Sequence, residues 1–278
     1  MNPTTVAIDL GGTRLRLAAS NPRGQGVRWE EKAVPPSHLP LALGKIWKKN
    51  NWTVVPLLIV GSKGIWTIRE RNALRKSIQR LAKELRVMSD VELAMHAAFA
   101  RTQNVSDRIF IVSGTGSIAL GMTKSGALFR AGGLGPQRGD EGSGWWIGNE
   151  YLRRMKHRKT SGNPSQVAAL AKQVLANAPR SPLCAAIIRE AQTHLASLIV
   201  DVHRQMKSRA SLSISWGGSL MLDNNFRRNI RTTVKQKIHR PLRWIHPKFS
   251  PDQAAAQQPE RIPQGLPTDL PPRFFTKK

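Results

Sequence analysis

The sequence predicts an α/β protein made of two related halves, and three observations support that prediction. A strand, a glycine-threonine turn and a returning strand occur at DLGGT (Asp9 to Thr13) and again at SGTGS (Ser113 to Ser117), an internal echo expected of two subdomains facing each other. Apolar alternation with period two surrounds the first turn, RIFIV and IALGM flank the second as strands, and helical stripes dominate later in the chain. The length, 278 residues with 40% hydrophobic content, suffices for two cores.

Val6, Ile8 and Leu10, then Leu15, Leu17 and Ala19, alternate with polar neighbours around Gly11 and Gly12, which reads as an antiparallel hairpin; Val27 to Glu30 supplies a third strand. Leu39 to Asn50 reads as a short helix, and VVPLLIV ending at Val60 as a buried strand blemished by Pro56. Leu74, Ile78, Leu81 and Leu85 mark one face of a helix through RNALRKSIQRLAKEL. The short segment RVMSD reads as a strand leading into a helix from Val91 to Arg101, with Ser89 or Asp90 as its cap, so Asp90 stands at a strand-to-helix junction. RIFIV, SGTGS and IALGM then repeat the opening theme, and ALFRAG follows a turn at Lys124 to Gly126. Val167, Leu170, Ala171, Val174 and Leu175 form one apolar helical stripe, and a longer one runs from Ile187 to Met206; both read as core. Leu212 to Trp216 is a strand broken by Gly217 and Gly218, followed by a basic helix near Asn225 to His239. Past Gln257 five prolines and no periodicity predict a disordered tail.

The formal net charge is +27, from 44 Lys and Arg against 17 Asp and Glu. Basic residues are spread over both halves, which favours a solvated basic surface over a dedicated nucleic-acid face, and either would attract phosphorylated ligands. Cys184 is the only cysteine, so no disulfide forms within the chain and a cysteine-based metal centre needs other ligands. The histidines form no i, i+4 pair. No apolar run reads as a membrane span or a signal segment, so a cytoplasmic protein is expected.

Chemistry concentrates in the glycine turns and in four acids. Glycines let backbone N–H groups approach a phosphate closely, and Thr13 adds a hydroxyl; a motif such as DLGGT alone is usually a plain hairpin turn, but SGTGS offers the same donors in an equivalent setting. GGS at Gly217 to Ser219 follows a strand in the same way and suits close approach to a nucleoside. Asp9 closes its strand beside the first turn, where a carboxylate can hold a magnesium ion directly or through water. Asp90 is either a simple helix cap or the group that orients and deprotonates an attacking hydroxyl in phosphoryl transfer. Within DEGSGWW, Asp140 and Glu141 suit ligand hydroxyls; a surface turn is the alternative, and it leaves Trp145 and Trp146 unexplained.

DLGGT, SGTGSIALG, GGLGPQRGDEGSGWWIG and SWGGSL, in that order, resemble the N-acetylglucosamine kinase branch of the actin-like ATPase and sugar-kinase superfamily, which includes the BadF/BadG/BcrA/BcrD ATPases. The likeness runs from Val6 to Ala256. It implies a two-domain actin-like (ribonuclease H-like) α/β fold, residues 1–106 and 107–256 followed by the tail 257–278, with ATP in the cleft between the domains. It further implies Asp9, Gly11, Gly12 and Thr13 as the first phosphate loop, Gly114, Thr115 and Gly116 as the second, and Gly217 and Gly218 as the adenosine contact. Asp90 matches the base that takes the proton from the 6-hydroxyl of an amino sugar such as N-acetylglucosamine, with Asp9 at the Mg2+ ion, and Gly133 and Asp140 match sugar-contacting positions. Relatives are often homodimers. The chain departs from the family at Leu134, where a tryptophan is usual, in the SNPRGQG loop, and at DQAAA, a reduced form of the closing Gly-Ala helix. Two other readings follow from the same residues: an ATPase driving a partner protein, disfavoured in its iron-sulfur form by the single cysteine, and a non-catalytic basic protein that binds nucleic acid.

Overall fold

The computed structural model describes residues 2–21, 23, 26–102, 106–155, 163–207 and 210–263. They fall into two units, Met1–Thr102 with Pro247–Lys278, and Gln103–His246.

In the first unit β1 (Thr5–Leu10), β2 (Arg14–Ser20) and β3 (Gly26–Lys32) form an antiparallel meander. Then α1 (Leu39–Lys49) leads to β4 (Val55–Ser62), α2 (Ile68–Ile78) to β5 (Ala82–Ser89), and α3 (Asp90–Phe99) follows directly. The sheet order is β3-β2-β1-β4-β5, with β4 parallel to β1 and β5 parallel to β4. β1 is central and buried along its whole length, as its TVAIDL sequence requires. Pro56 is accommodated because pairing between β4 and β1 begins only at Leu57. Val6, Ile8 and Leu10 face Leu39 and Leu43 of α1 and Leu74 and Ile78 of α2.

The expected helix through RNALRKSIQRLAKEL stops early. α2 ends at Ile78, a 3₁₀ turn spans Gln79–Leu81, and Ala82 to Ser89 form β5. Parallel pairing with β4 wins over the helical spacing of Leu81 and Leu85, because β4 otherwise has an open edge in a buried sheet.

The second unit repeats the plan. β6 (Asp107–Ser113), β7 (Ser117–Met122) and β8 (Leu128–Gly132) form a second antiparallel meander. Three helices follow, α4 (Gly144–Arg154), α5 (Pro164–Asn177) and α6 (Pro182–Met206), and then β9 (Leu212–Gly217), α7 (Asn224–Lys237) and β10 (Leu242–Trp244). The order β10-β9-β6-β7-β8 is that of the first sheet, with β6 in the place of β1. α6 is long and apolar enough to cross a membrane by length and composition, but Ile187, Leu195, Ile199 and Val202 lie buried in this unit's core, the role its stripe predicts. Trp145 and Trp146 stand on α4 rather than in a loop, and Trp146 packs edge to face on His194 of α6 at 5.1 Å.

The chain then returns to the first unit, so the segment from Pro247 to Ala256 packs with β1 and β2 and not with the half to which the sequence assigned it. α8 (Pro251–Gln257) is the reduced DQAAA helix, and its Ala254, Ala255 and Ala256 are buried. Small side chains let it lie close on the sheet face opposite α1 and α2, with Ala7, Ile59 and Leu93. Of the tail expected to be disordered, Pro259–Arg261 form a 3₁₀ turn and Ile262 is buried; the carbonyls of Pro259 and Ile262 both accept from the Arg86 guanidinium at 2.6 Å. Residues 264–278 lie outside the described residues.

Candidate functional site

The first unit gathers Asp9, the DLGGT turn and Asp90. The β1–β2 hairpin puts Asp9 opposite Arg16, and the next ladder puts Arg16 opposite Glu30. Arg16 accordingly donates from Nη1 to Asp9 Oδ2 at 3.1 Å and from Nε to Glu30 Oε2 at 3.0 Å. Asp9 is 5% exposed, and burial raises its pKa to about 7, with Arg16 opposing the rise and the charges of Asp90 and Asp252 adding to it. Gly12 and Thr13 at the tip of the turn are exposed, and among the described residues their N–H groups donate to no protein acceptor.

Asp90 is the first residue of α3, and the cap is Ser89. The Ser89 hydroxyl accepts from the Glu92 N–H at 3.2 Å while Glu92 Oε2 accepts from the Ser89 N–H at 2.7 Å, a reciprocal capping box. Arg71 of α2 locks Glu92 in that pose, donating to its two carboxylate oxygens at 3.0 and 2.9 Å, with both side chains buried. The Asp90 carboxylate is therefore free of the capping task and, among the described residues, accepts only local N–H groups, including that of Val91 at 3.0 Å. Burial raises its pKa to about 6, against the lowering effect of those N–H groups and of Lys63.

In the second unit the SGTGS turn and the GGLGPQRGDEGSG segment interlock. Ser113 and Ser117 donate their hydroxyls to the carbonyls of Gly142 and Glu141 at 2.8 Å each. The first N–H groups of α4, from Gly144 and Trp145, take the carbonyls of Gly114 and Thr115 at 2.7 and 3.2 Å. The carbonyl sides of the turn are thus satisfied by protein, whereas the Thr115 and Gly116 N–H groups have no protein acceptor among the described residues. Gly133 donates to the Ser117 carbonyl at 2.8 Å. Asp140 is buried and sits in the left-handed region (φ 62), its Oδ1 accepting from the Ser117 N–H at 3.5 Å; burial raises its pKa. A Cβ on Gly116 would stand 2.9 Å from Asp140 Oδ2, the free end of that side chain, so the carboxylate would have to shift to admit one. Gly218 approaches the same turn from β9, within reach of the Ser113 carbonyl and the Gly114 N–H.

Each unit thus brings its own expected residues together: Asp9, Gly11, Gly12, Thr13 and Asp90 in the first, Gly114, Thr115, Gly116, Gly133, Asp140, Gly217 and Gly218 in the second. Sequence reasoning missed Arg16, although hairpin register pairs it with Asp9, and it missed Lys63. Lys63 follows β4, and its Nζ donates to the Gly12 carbonyl at 3.4 Å. Nothing in the sequence placed residue 63 beside residue 12, because parallel pairing of β4 with β1 does so.

In each glycine turn, the N–H groups left without a protein acceptor among the described residues fit phosphate oxygens. Among the described residues no cluster of three His, Cys, Asp or Glu side chains could hold a metal, so a fully protein-ligated site is not built. A single buried carboxylate repelled by two other acids does fit a magnesium ion held chiefly by phosphate oxygens and water, since a cation relieves the strain that burial places on the charge of Asp9. The same burial gives a stability test. Asp9 titrates near 3.8 when unfolded and near 7 when folded, so the folded chain binds more protons between those values and loses stability as pH rises through that window. Thermal melts of ligand-free Asp9→Asn and the unaltered chain are expected to diverge as pH rises from 5 to 8, the Asn chain gaining relative to Asp. A gap that stays constant or reverses with pH would contradict a buried acid at this position.

The model of the BadF/BadG/BcrA/BcrD ATPase family matches residues 6–256. An N-acetyl-D-glucosamine kinase of Dictyostelium discoideum is 30% identical over 115 residues, 41% of this chain and 36% of that protein. An N-acetylmuramic acid/N-acetylglucosamine kinase of Clostridium acetobutylicum is 32% identical over 98 residues, 34% of this chain and 31% of that protein. The match spans about a third of the length of these curated relatives. The crystal structure of a ROK family glucokinase from Streptomyces griseus, in complex with glucose and AMPPNP, superposes with a TM-score of 0.62 at 14% identity, covering 93% of this chain and 98% of that one. The shared architecture, with its two five-stranded sheets, is the actin-like ATPase fold. A match running from β1 to α8, across both glycine turns and the GDEGS segment, gives the chain its place: it belongs to the BadF/BadG/BcrA/BcrD ATPase family.

Proposed function

We propose that the protein is an ATP-dependent kinase that phosphorylates the 6-hydroxyl of an amino sugar, with N-acetylglucosamine as the first candidate. The observation that carries the reading is Asp90: a carboxylate at the first position of a helix already capped by Ser89, with a pKa near 6 and electrostatically coupled to Asp9 beside the first glycine turn. A base with that pKa is largely ionised at neutral pH and still holds a transferred proton well. The kinases of Dictyostelium and Clostridium named above support the choice of sugar.

In this reading Asp90 orients the sugar hydroxyl and accepts its proton as the oxygen bonds to the terminal phosphorus of ATP, and the electron pair of the broken P–O bond leaves with ADP. The N–H groups of Gly12, Thr13, Thr115 and Gly116 hold phosphate oxygens, and Gly217 and Gly218 leave room for the nucleoside. Asp140 and Gly133 shape the sugar-contacting loop. Asp9 would hold the magnesium ion, which supplies charge neutralisation at the phosphates.

The test is ADP release with Mg-ATP and N-acetylglucosamine, glucosamine, N-acetylmuramic acid or glucose, followed by phosphorus NMR of the product. Release that depends on an amino sugar, with the phosphate on the 6-oxygen, is expected. ATP hydrolysis indifferent to every sugar would instead favour an ATPase that drives a partner protein.

A further inference from the structure

We infer that the Lys63 ammonium binds the terminal phosphoryl group of the nucleotide, between the first glycine turn and Asp90; this rests on the kinase reading above. The Lys63 N–H donates to the Leu10 carbonyl at 2.8 Å, extending the pairing of β4 with β1 and pinning the Lys63 backbone at the entrance of the DLGGT turn. From there the half-buried side chain reaches across the turn to the Gly12 carbonyl, at 3.4 Å. That contact is long and its acceptor is neutral, so an anionic phosphate oxygen at the same place would replace it with a shorter, charge-assisted bond.

The transferring phosphoryl group is the part of the nucleotide that has to lie between the turn's N–H groups and the hydroxyl held by Asp90. Lys63 acts on both of these: it touches the turn through Gly12, and its charge favours the ionised form of Asp90. In a loose transition state negative charge spreads over the equatorial oxygens of that group, where a fixed cation stabilises it. A flexible four-carbon stem lets the ammonium leave the carbonyl for phosphate without moving the backbone. ADP, which lacks the terminal phosphate, gains little from such a cation.

The experiment measures equilibrium binding of AMPPNP and ADP, by titration calorimetry with magnesium present, to the full chain and to its Lys63→Met and Lys63→Arg variants. Lys63→Met is expected to weaken AMPPNP about tenfold and to change ADP by less than about twofold, the scale of one charge-assisted contact. Lys63→Arg, which keeps the charge, is expected to retain most of the AMPPNP affinity. Equal weakening of the two nucleotides, or an unchanged AMPPNP affinity in Lys63→Met, overturns the assignment while leaving the kinase reading in place. An unaltered chain that binds neither nucleotide overturns both.

Discussion

Asp90→Asn is expected to remove amino-sugar-dependent ADP release while making the protein more stable at pH 8. Loss of a general base costs about 10²- to 10⁴-fold in turnover, because the attacking hydroxyl then keeps its proton while the phosphorus bond forms. Stability moves the other way for a reason visible in the fold. Burial lifts the Asp90 pKa from 3.8 to about 6, so above pH 6 folding forces an unfavourable charge into a site that Asn fills without one. Asn also keeps an oxygen for the Val91 N–H. The gain at pH 8 is about 3 kcal/mol and fades as pH falls from 6 towards 4, where the acid is protonated in both states. Opposite signs in activity and stability mark a residue retained for chemistry rather than for packing. Turnover within tenfold of the unaltered chain, or a lowered melting temperature at pH 8, would remove Asp90 from the role of base.

Gly218→Ala is expected to be the most damaging single-methyl change at the glycine turns of the second unit. Gly218 has φ +90, and a Cβ there would lie 2.2 Å from the Ser113 carbonyl oxygen and 2.7 Å from the Gly114 N–H nitrogen, backbone atoms held in the sheet and the SGTGS turn. Gly126 is the natural control, with φ +91 and no heavy atom within 4 Å of the position a methyl group would take. Alanine at residue 126 meets only the left-handed backbone penalty, about 1–2 kcal/mol. At residue 218 the steric term is added, and the total is about 3–5 kcal/mol, enough to lower a melting temperature by roughly 10 °C in a unit of this size. Nucleotide affinity should fall with Gly218→Ala and stay unchanged with Gly126→Ala. Equal melting shifts in the two variants would show that β9 approaches the second turn less closely than these distances require.

Much of the architecture was legible because it is written in local pattern. Period-two alternation around Gly11 predicted the first hairpin, and the recurrence of strand, glycine turn and strand at SGTGS predicted the second and with it two units on one plan, which the matching sheet orders bear out. The glycine-rich turns stood out for the same local reason, since a close backbone approach such as Gly218 against Ser113 leaves no room for a side chain. The end of β5 was legible at RVMSD, but its first half was hidden, because Leu81 and Leu85 carry helical spacing and only an open edge on β4 selects a strand there. α8 was assigned to the wrong half, since no local signal distinguishes which sheet three alanines will cover.

For the candidate site the division is the same. The sequence by itself determined which backbone segments can approach a phosphate, the presence of acids at Asp9 and Asp90, and the family pattern that links them, for these depend on residue type and nearest neighbours. Tertiary structure alone decided that Ser89 and not Asp90 caps α3, that Arg71 buttresses that cap, that Arg16 faces Asp9, and that Lys63 stands over the first turn. Those outcomes depend on strand register and on burial, and charges brought together from distant positions take their pKa values and partners from the space they share rather than from the order in which they were joined.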